Sequence, residues 1–165
     1  MIAVLLLLTA VSPTAPAAPH ALMLEVGAGV GASKFAPTAV LAEAGLRAGV
    51  GVRWGSVLET GLRLRTGLLT DPNLLGLADA AFVVGGRWEL SDGIDVALSA
   101  GPEGTLAISH AFNPLGAALG VAVDVGARFR LSNQSLLGVG LAVDASSFLN
   151  VRGMLYGSYR WELPF

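Results

Sequence analysis

Residues 117–130 read AALGVAVDVGARFR, a stretch in which apolar side chains alternate with small or charged ones. Leu119 and Val123 have odd numbers, and Asp124 and Arg128 have even numbers. Residues that share this odd or even position along one strand are said to have the same parity. In a β-strand, successive side chains point to opposite faces, so a period of two indicates a strand with one apolar face and one polar face. The stretch therefore predicts a long β-strand that separates two different environments.

The same period recurs in seven other segments of the chain. Each segment has at least the ~9–11 residues that a tilted strand needs to cross the hydrocarbon core of a membrane. Eight is an even number, so an antiparallel sheet of these strands closes with both ends on one side. The seven segments comprise residues 22–30, 40–53, 58–68, 78–90, 94–103, 137–145 and 151–165.

The composition is unlike that of a protein with a water-facing surface. Hydrophobic residues make up 53% of the 165 residues, charged residues only 13%, and the mean hydropathy is +0.66. Soluble domains have about a quarter charged residues. The 22 glycines and 8 prolines disfavour membrane helices. A net charge of −2 gives no basic surface for nucleic acid, and the absence of cysteine excludes disulfides and thiolate chemistry.

The first residues have the pattern of an export sequence. An apolar run is followed by small residues, with Ala15 and Ala17 at a plausible cleavage motif, although no Lys or Arg precedes the run. We expect a signal peptide at residues 1–17 and a single barrel domain at residues 18–165. The apolar run is too short to span a membrane as a helix.

The connectors between the predicted strands alternate in length. Short turns at one end and longer loops at the other are typical of bacterial membrane barrels, in which the short turns face the periplasm. The predicted turns are residues 54–57, 91–93 and 132–134, and the predicted longer connectors are residues 32–39, 69–76, 105–116 and 146–150. The sequence thus predicts an all-β fold: an eight-stranded, antiparallel, up-and-down transmembrane β-barrel with short periplasmic turns and moderately longer extracellular loops.

Alternation alone does not decide which face is inside, because a soluble, lipocalin-like barrel alternates in the same way. The bases on the polar face are all arginine, the residue suited to confined ion pairs, while the sole lysine, Lys34, falls in a predicted connector. We therefore expect the charged face to line the lumen. The predicted lumen charges are Glu25, Glu43, Arg47, Arg53, Glu59, Arg63, Arg65, Asp79, Arg87, Glu89, Asp95, Glu103, Asp124, Arg128, Arg130, Asp144, Arg152, Arg160 and Glu162.

These charges allow two interpretations. A salt-bridged plug that satisfies buried charge is favoured, because eight strands leave an interior just filled by side chains. A narrow, ion-conducting lumen is the alternative. A tight turn between the second and third strands sets Arg53 opposite Glu59, and we expect these two residues to pair.

Aromatic residues gather on the apolar face near the predicted periplasmic end, as in the aromatic girdles of membrane proteins. The members of this girdle are Trp54, Trp88, Phe129, Trp161 and Phe165. The final strand, with Tyr159, Trp161, Leu163 and Phe165 on one parity, resembles the carboxy-terminal assembly signal of bacterial outer-membrane proteins; Pro164 departs from that pattern. The whole mature chain, after the predicted signal peptide, resembles small eight-stranded barrels such as the outer membrane protein A transmembrane domain and outer membrane protein X.

One segment has a faint enzymatic pattern. His110 and Asn113 resemble part of the motif of outer-membrane lipid A deacylases, but Phe112 stands where the nucleophile belongs. Ser109 adjoins His110 and points away from it in an extended strand, although a nucleophile must lie within hydrogen-bond reach of its base. We therefore expect no catalytic residues, and the two distant histidines predict no metal or other cofactor.

The resemblance implies a location in the bacterial outer membrane, reached by export through the periplasm. It also implies contact with outer-membrane lipid and lipopolysaccharide, and recognition by the barrel-assembly machinery. We expect a monomeric, non-enzymatic barrel with a plugged, charge-paired lumen and a structural or surface-interaction role. A porin-like channel, a lipid A deacylase-like hydrolase and a soluble binder remain the alternatives.

Overall fold

The computed structural model describes residues 20–35, 39–70, 74–109, 114–147 and 149–165, so the predicted signal peptide lies outside the described residues. These residues form eight strands, as the alternation predicts. The strands are β1 (His20–Phe35), β2 (Ala39–Trp54), β3 (Leu58–Leu69), β4 (Leu74–Ser91), β5 (Ile94–Ser109), β6 (Pro114–Ser132), β7 (Ser135–Ser146) and β8 (Leu149–Pro164). No helix within the described ranges is long and apolar enough to span a membrane.

The strands pair in chain order and close into a barrel. All pairs are antiparallel, and β1 completes the circle by pairing with β8, from Ala21 opposite Pro164 to Phe35 opposite Leu149. Closure leaves no lateral strand without a partner, which removes the exposed edges that an open sheet would have. The predicted fold class is therefore confirmed.

The two faces of the sheet have opposite exposure. In β3, Leu62 and Leu64 are 56% and 58% exposed, whereas Arg63 and Arg65 between them are only 5% and 3% exposed. Apolar side chains thus cover the outside of the barrel and charged side chains fill the inside. This arrangement is inverted relative to a soluble barrel, whose polar face meets water.

The turn end of the barrel is the end that carries the three tight connections at residues 55–57, 92–93 and 133–134. Gly55 and Gly93 have φ angles of 67° and 78°, in the left-handed region that glycine adopts without steric cost. Gly93 lies in the turn that the sequence predicts at residues 91–93. Pro164 and Phe165 lie at this same end, next to His20.

At the opposite end, the loop end, the strands continue further than the predicted connectors allow. Residues 36–38, 71–73, 110–113 and 148, which separate the strands along the chain there, lie outside the described residues. In the predicted connector 105–116, Thr105 and Ala107 are buried while Leu106 is exposed, so the alternation of β5 persists into it. Lys34, placed by the sequence in a connector, lies instead in β1 and is exposed.

Candidate functional site

The predicted lumen charges lie inside the barrel, with one exception. Fifteen of the nineteen are buried, and Arg47, Arg128 and Arg130 are half-buried. Glu89 is exposed, so its assignment to the lumen network is wrong. It lies near the end of β4, where the barrel opens to solvent, and its cross-strand partner is Asp95, a like charge. Without Glu89, the lumen contains nine carboxylates and nine guanidinium groups.

Arg160 organises the lumen near the turn end. Its guanidinium donates to Glu25 at 2.9 and 2.5 Å and to Glu59 at 3.0 and 2.9 Å, and it contacts the Met23 sulfur at 3.1 Å. Glu59 also accepts hydrogen bonds from Arg128 at 2.8 and 3.0 Å. Because Glu25 and Arg160 are register partners across β1 and β8, one of these pairs fastens the seam that closes the barrel.

The predicted register of Arg53 and Glu59 is confirmed, but their predicted pairing is wrong. The two residues are direct cross-strand partners. Arg53 nevertheless lies 3.4 Å from Glu162 and donates to the Gly55 carbonyl at 2.7 Å, whereas Glu59 pairs with Arg160, Arg128 and Arg87. The guanidinium of Arg53 thus pairs away from its direct cross-strand partner, whereas that of Arg160 pairs with its own, Glu25.

A second cluster, the loop-end cluster, lies further along the lumen. Arg152 is fully buried and hydrogen bonds with Glu43, by Nε at 2.7 Å and by Nη2, and with Asp79. Arg65 donates to Asp79 at 3.2 Å, pairs with Asp144, and lies 3.7 Å from Glu103. The cluster therefore holds four carboxylates around two guanidinium groups.

Beside the turn-end charges lies a cavity of about 60 Å³, whose lining includes Glu25, Glu59, Arg128 and Arg160. Arg47 spans it, with Nη2 at 2.9 Å from Glu25 and Nη1 at 3.3 Å from Asp124, and its guanidinium stacks 3.8 Å from the centre of the Tyr156 ring. Arg63 lies against Asp124 in the same region. A cavity of this size has room for a few water-sized species.

Sequence reasoning missed the uncharged members of the network. Tyr156 stacks on Arg47, the Ser33 hydroxyl donates to Glu43 at 2.8 Å, and the Thr105 hydroxyl donates to Glu103 at 3.0 Å. Each of these residues has the same parity as the lumen charges on its strand. Strand parity could therefore have identified these three residues as facing the lumen, whereas a search for charged residues alone overlooks them.

The predicted girdle residues lie on the outward face at the turn end; all are exposed except Phe129, which is half-buried. The ring of His20, to which the sequence assigned no role, lies 5.9 Å from the Trp54 ring and 6.1 Å from the Phe165 ring. In the predicted assembly signal, the Tyr159 and Trp161 rings meet edge to face at 4.6 Å. The last strand thus contributes aromatic side chains to this rim.

The hydrolase-like motif, with His110, Phe112 and Asn113, lies outside the described residues. Within the described part of the chain, no three side chains are grouped in a way that would hold a metal ion. The chemistry that the lumen does display is hydrogen bonding between guanidinium and carboxylate groups, sheltered from solvent.

No protein-family model matches the chain, and no curated protein matches it in sequence. Solved structures do match its fold. Neisserial surface protein A (NspA) has a TM-score of 0.72 at 15% identity, covering 92% of this chain and 100% of that one.

Two further structures match with a TM-score of 0.59 each. The N-terminal β-barrel domain of Pseudomonas aeruginosa OprF is 13% identical, covering 86% of this chain and 97% of that one. Ail, the attachment invasion locus protein of Yersinia pestis, solved in complex with the heparin analogue sucrose octasulfate, is 10% identical and covers 86% and 98%. At these identities the likeness establishes the fold: this chain has the architecture of small bacterial outer-membrane barrels.

Proposed function

We propose that this chain is an integral barrel of the bacterial outer membrane, with a closed, charge-paired lumen and a structural or surface-interaction role. The observation that carries the proposal is the inverted exposure of the sheet. Large apolar side chains project from every strand into the surroundings, whereas the charges are buried inside. An apolar surface this extensive is compatible with lipid and not with water.

Membrane fractionation tests the location. In cells that express the chain, we expect it in the outer-membrane fraction, resistant to alkaline carbonate and released by detergent. Recovery in buffer without detergent would overturn the proposal in favour of the soluble binder, because a lipid-exposed apolar surface is insoluble without an amphiphile.

The closed lumen is a separate part of the proposal. Its support is the dense pairing of nine acids with nine arginines and the small volume of the internal cavity. In planar bilayers we expect a baseline without channel steps. Stable, ion-selective steps would favour the porin-like alternative.

Lipid, lipopolysaccharide and the barrel-assembly machinery are the proposed partners of a monomeric barrel. The aromatic rim supports this, since such rings favour the lipid–water boundary. Deleting Phe165 is expected to lower the yield of assembled barrel in cells while refolding of the purified chain in detergent persists. Equal losses in both assays would indicate a role in stability instead of recognition.

A non-enzymatic role completes the proposal, supported by Phe112 at the position of the deacylase nucleophile. We expect no 3-hydroxy fatty acid to be released when the barrel is incubated with lipopolysaccharide. Release that disappears in a His110→Ala variant would establish the hydrolase instead.

A further inference from the structure

Lys34, the one lysine of the chain, lies on the outward face of β1 at the loop end and is exposed. It has the same parity as the exposed Leu24 and Val30. Each of the nine arginines lies against a carboxylate in the lumen. Lys34 differs from them, because its register partners on β2 and β8 are Val40 and Val151, and no acid faces it across either strand.

The apolar part of this outward face has the height of a hydrocarbon core. It begins at Leu22, one outward position after His20 of the aromatic rim, and ends at Ala32, one outward position before Lys34. At ~3.3 Å per residue and a strand tilt of ~40°, the stretch from Leu22 to Lys34 rises by about 30 Å. The hydrocarbon core of a bilayer is also ~30 Å thick. Lys34 is therefore placed at the second lipid–water boundary, where a lysine extends its ammonium group to the headgroups.

The exposed charges of the described residues differ between the two ends of the barrel. At the turn end, the acids Glu89 and Asp92 are exposed. At the loop end, the acids of the described strands are the four buried carboxylates of the loop-end cluster, whereas Lys34 is exposed. The outer surface of the described barrel is thus positive at the loop end and negative at the turn end. Such a surface attracts an anionic headgroup at the loop end and repels one at the turn end.

We propose that Lys34 binds the phosphate of an anionic lipid headgroup in the leaflet that surrounds the loop end. An ammonium group is a compact charge with three donors, and it binds phosphate as a point charge. One lysine near an anionic membrane surface favours such a lipid about five-fold. This inference rests on the proposed membrane location, and it adds the headgroup chemistry and the residue that contacts it.

The test compares two lipids around a probe placed beside Lys34. The chain has no cysteine, so Val151→Cys at its exposed register partner provides a single site for a fluorophore. The labelled barrel is refolded into phosphatidylcholine vesicles that contain either phosphatidic acid or phosphatidylcholine with a quencher in its acyl chains. We expect a preference of about five-fold for phosphatidic acid at low ionic strength, which decreases as sodium chloride is added. Equal quenching by the two lipids would overturn the inference.

Variants of Lys34 separate this contact from a general attraction of the barrel to anionic lipid. Lys34→Gln removes the charge and is expected to abolish the preference, whereas Lys34→Arg is expected to retain it. The matched control is a fluorophore on Leu90→Cys, at the turn end, where the native side chain is 74% exposed. There we expect no preference for phosphatidic acid and no effect of Lys34→Gln. A preference at residue 151 that persists in Lys34→Gln would reject Lys34 as the contact.

The same measurements distinguish this inference from the membrane location on which it rests. Equal quenching at residue 151 by both lipids would reject the headgroup contact and leave the membrane location intact, because acyl chains would still reach the probe. Absence of quenching by either lipid would contradict the membrane location, and the headgroup contact with it.

Discussion

Arg160 is the residue on which the turn-end ion pairs converge, and its removal tests how much buried pairing stabilises the barrel. Arg160→Met leaves Glu25 with Arg47, and Glu59 with Arg128 and Arg87, so both acids lose a direct partner in a buried place. We expect a loss of about 3–5 kcal/mol in the free energy of unfolding, measured by tryptophan fluorescence in urea with lipid vesicles. Arg130→Met is the control; Asp95 keeps Arg87 as a partner when Arg130 is removed, so a smaller loss is expected than for Arg160→Met. Equal losses would mean that burial does not set the contribution.

Arg53 shows which of its contacts the sequence can predict and which it cannot. The length of the turn predicts its register with Glu59, but its ion partner depends on where a flexible guanidinium crosses the lumen, which no local pattern encodes. Double-mutant cycles distinguish the two acids. We expect a coupling energy of about 1 kcal/mol or more between Arg53 and Glu162, and a smaller one between Arg53 and Glu59. The reverse order would restore the pairing expected from register.

At the scale of the strand, two glycines of the outward face make a matched pair. A Cβ added to Gly86 would lie 2.5 Å from the Trp88 ring, whereas one added to Gly104 would have no atom within 4 Å. Gly86→Ala is therefore expected to push the indole away and cost about 1 kcal/mol. Gly104→Ala is expected to be neutral or stabilising. Unfolding in urea measures the stability of both variants. In a Trp54→Phe/Trp161→Phe background, the fluorescence of Trp88 reports the environment of its indole ring. An unchanged emission maximum in Gly86→Ala would contradict the predicted displacement.

Strand parity also explains which element boundaries the sequence predicts well. At the turn end, glycine and polar residues interrupt the alternation abruptly, so the three turns are placed within a residue or two. At the loop end, polar residues continue the inward parity, as Ser33 and Thr105 do, and they look like loop residues until the barrel buries them. Burial of a hydroxyl beside a carboxylate is a tertiary property, and the strand ends are therefore underestimated there.

At the scale of the whole molecule, the sequence predicts that charge lies inside but not how it is distributed. When every charged residue of the inward parity is assigned to the lumen, Glu89 is included, although it is exposed at the open rim. The sequence therefore predicts one acid too many and misses the balance of nine acids and nine arginines. It also misses the loop-end cluster, in which four carboxylates surround two guanidinium groups. That cluster depends on the tilt of strands around a closed barrel, which brings together residues far apart in the chain, such as Arg152 and Glu43.

The inverted arrangement is tested most directly by two neighbouring residues of β8. Met154 is 1% exposed and points into the lumen, whereas Leu155 is 63% exposed and points outward. The chain has no cysteine, so Met154→Cys and Leu155→Cys each introduce a unique thiol. In lipid vesicles we expect a fluorophore attached at residue 155 to be quenched by lipids that carry a quencher in their acyl chains. The thiol at residue 154 is expected to resist water-soluble maleimide until the barrel is unfolded. Rapid labelling at residue 154 from water would indicate a hydrated, open lumen, and an unquenched fluorophore at residue 155 would place the apolar face away from lipid.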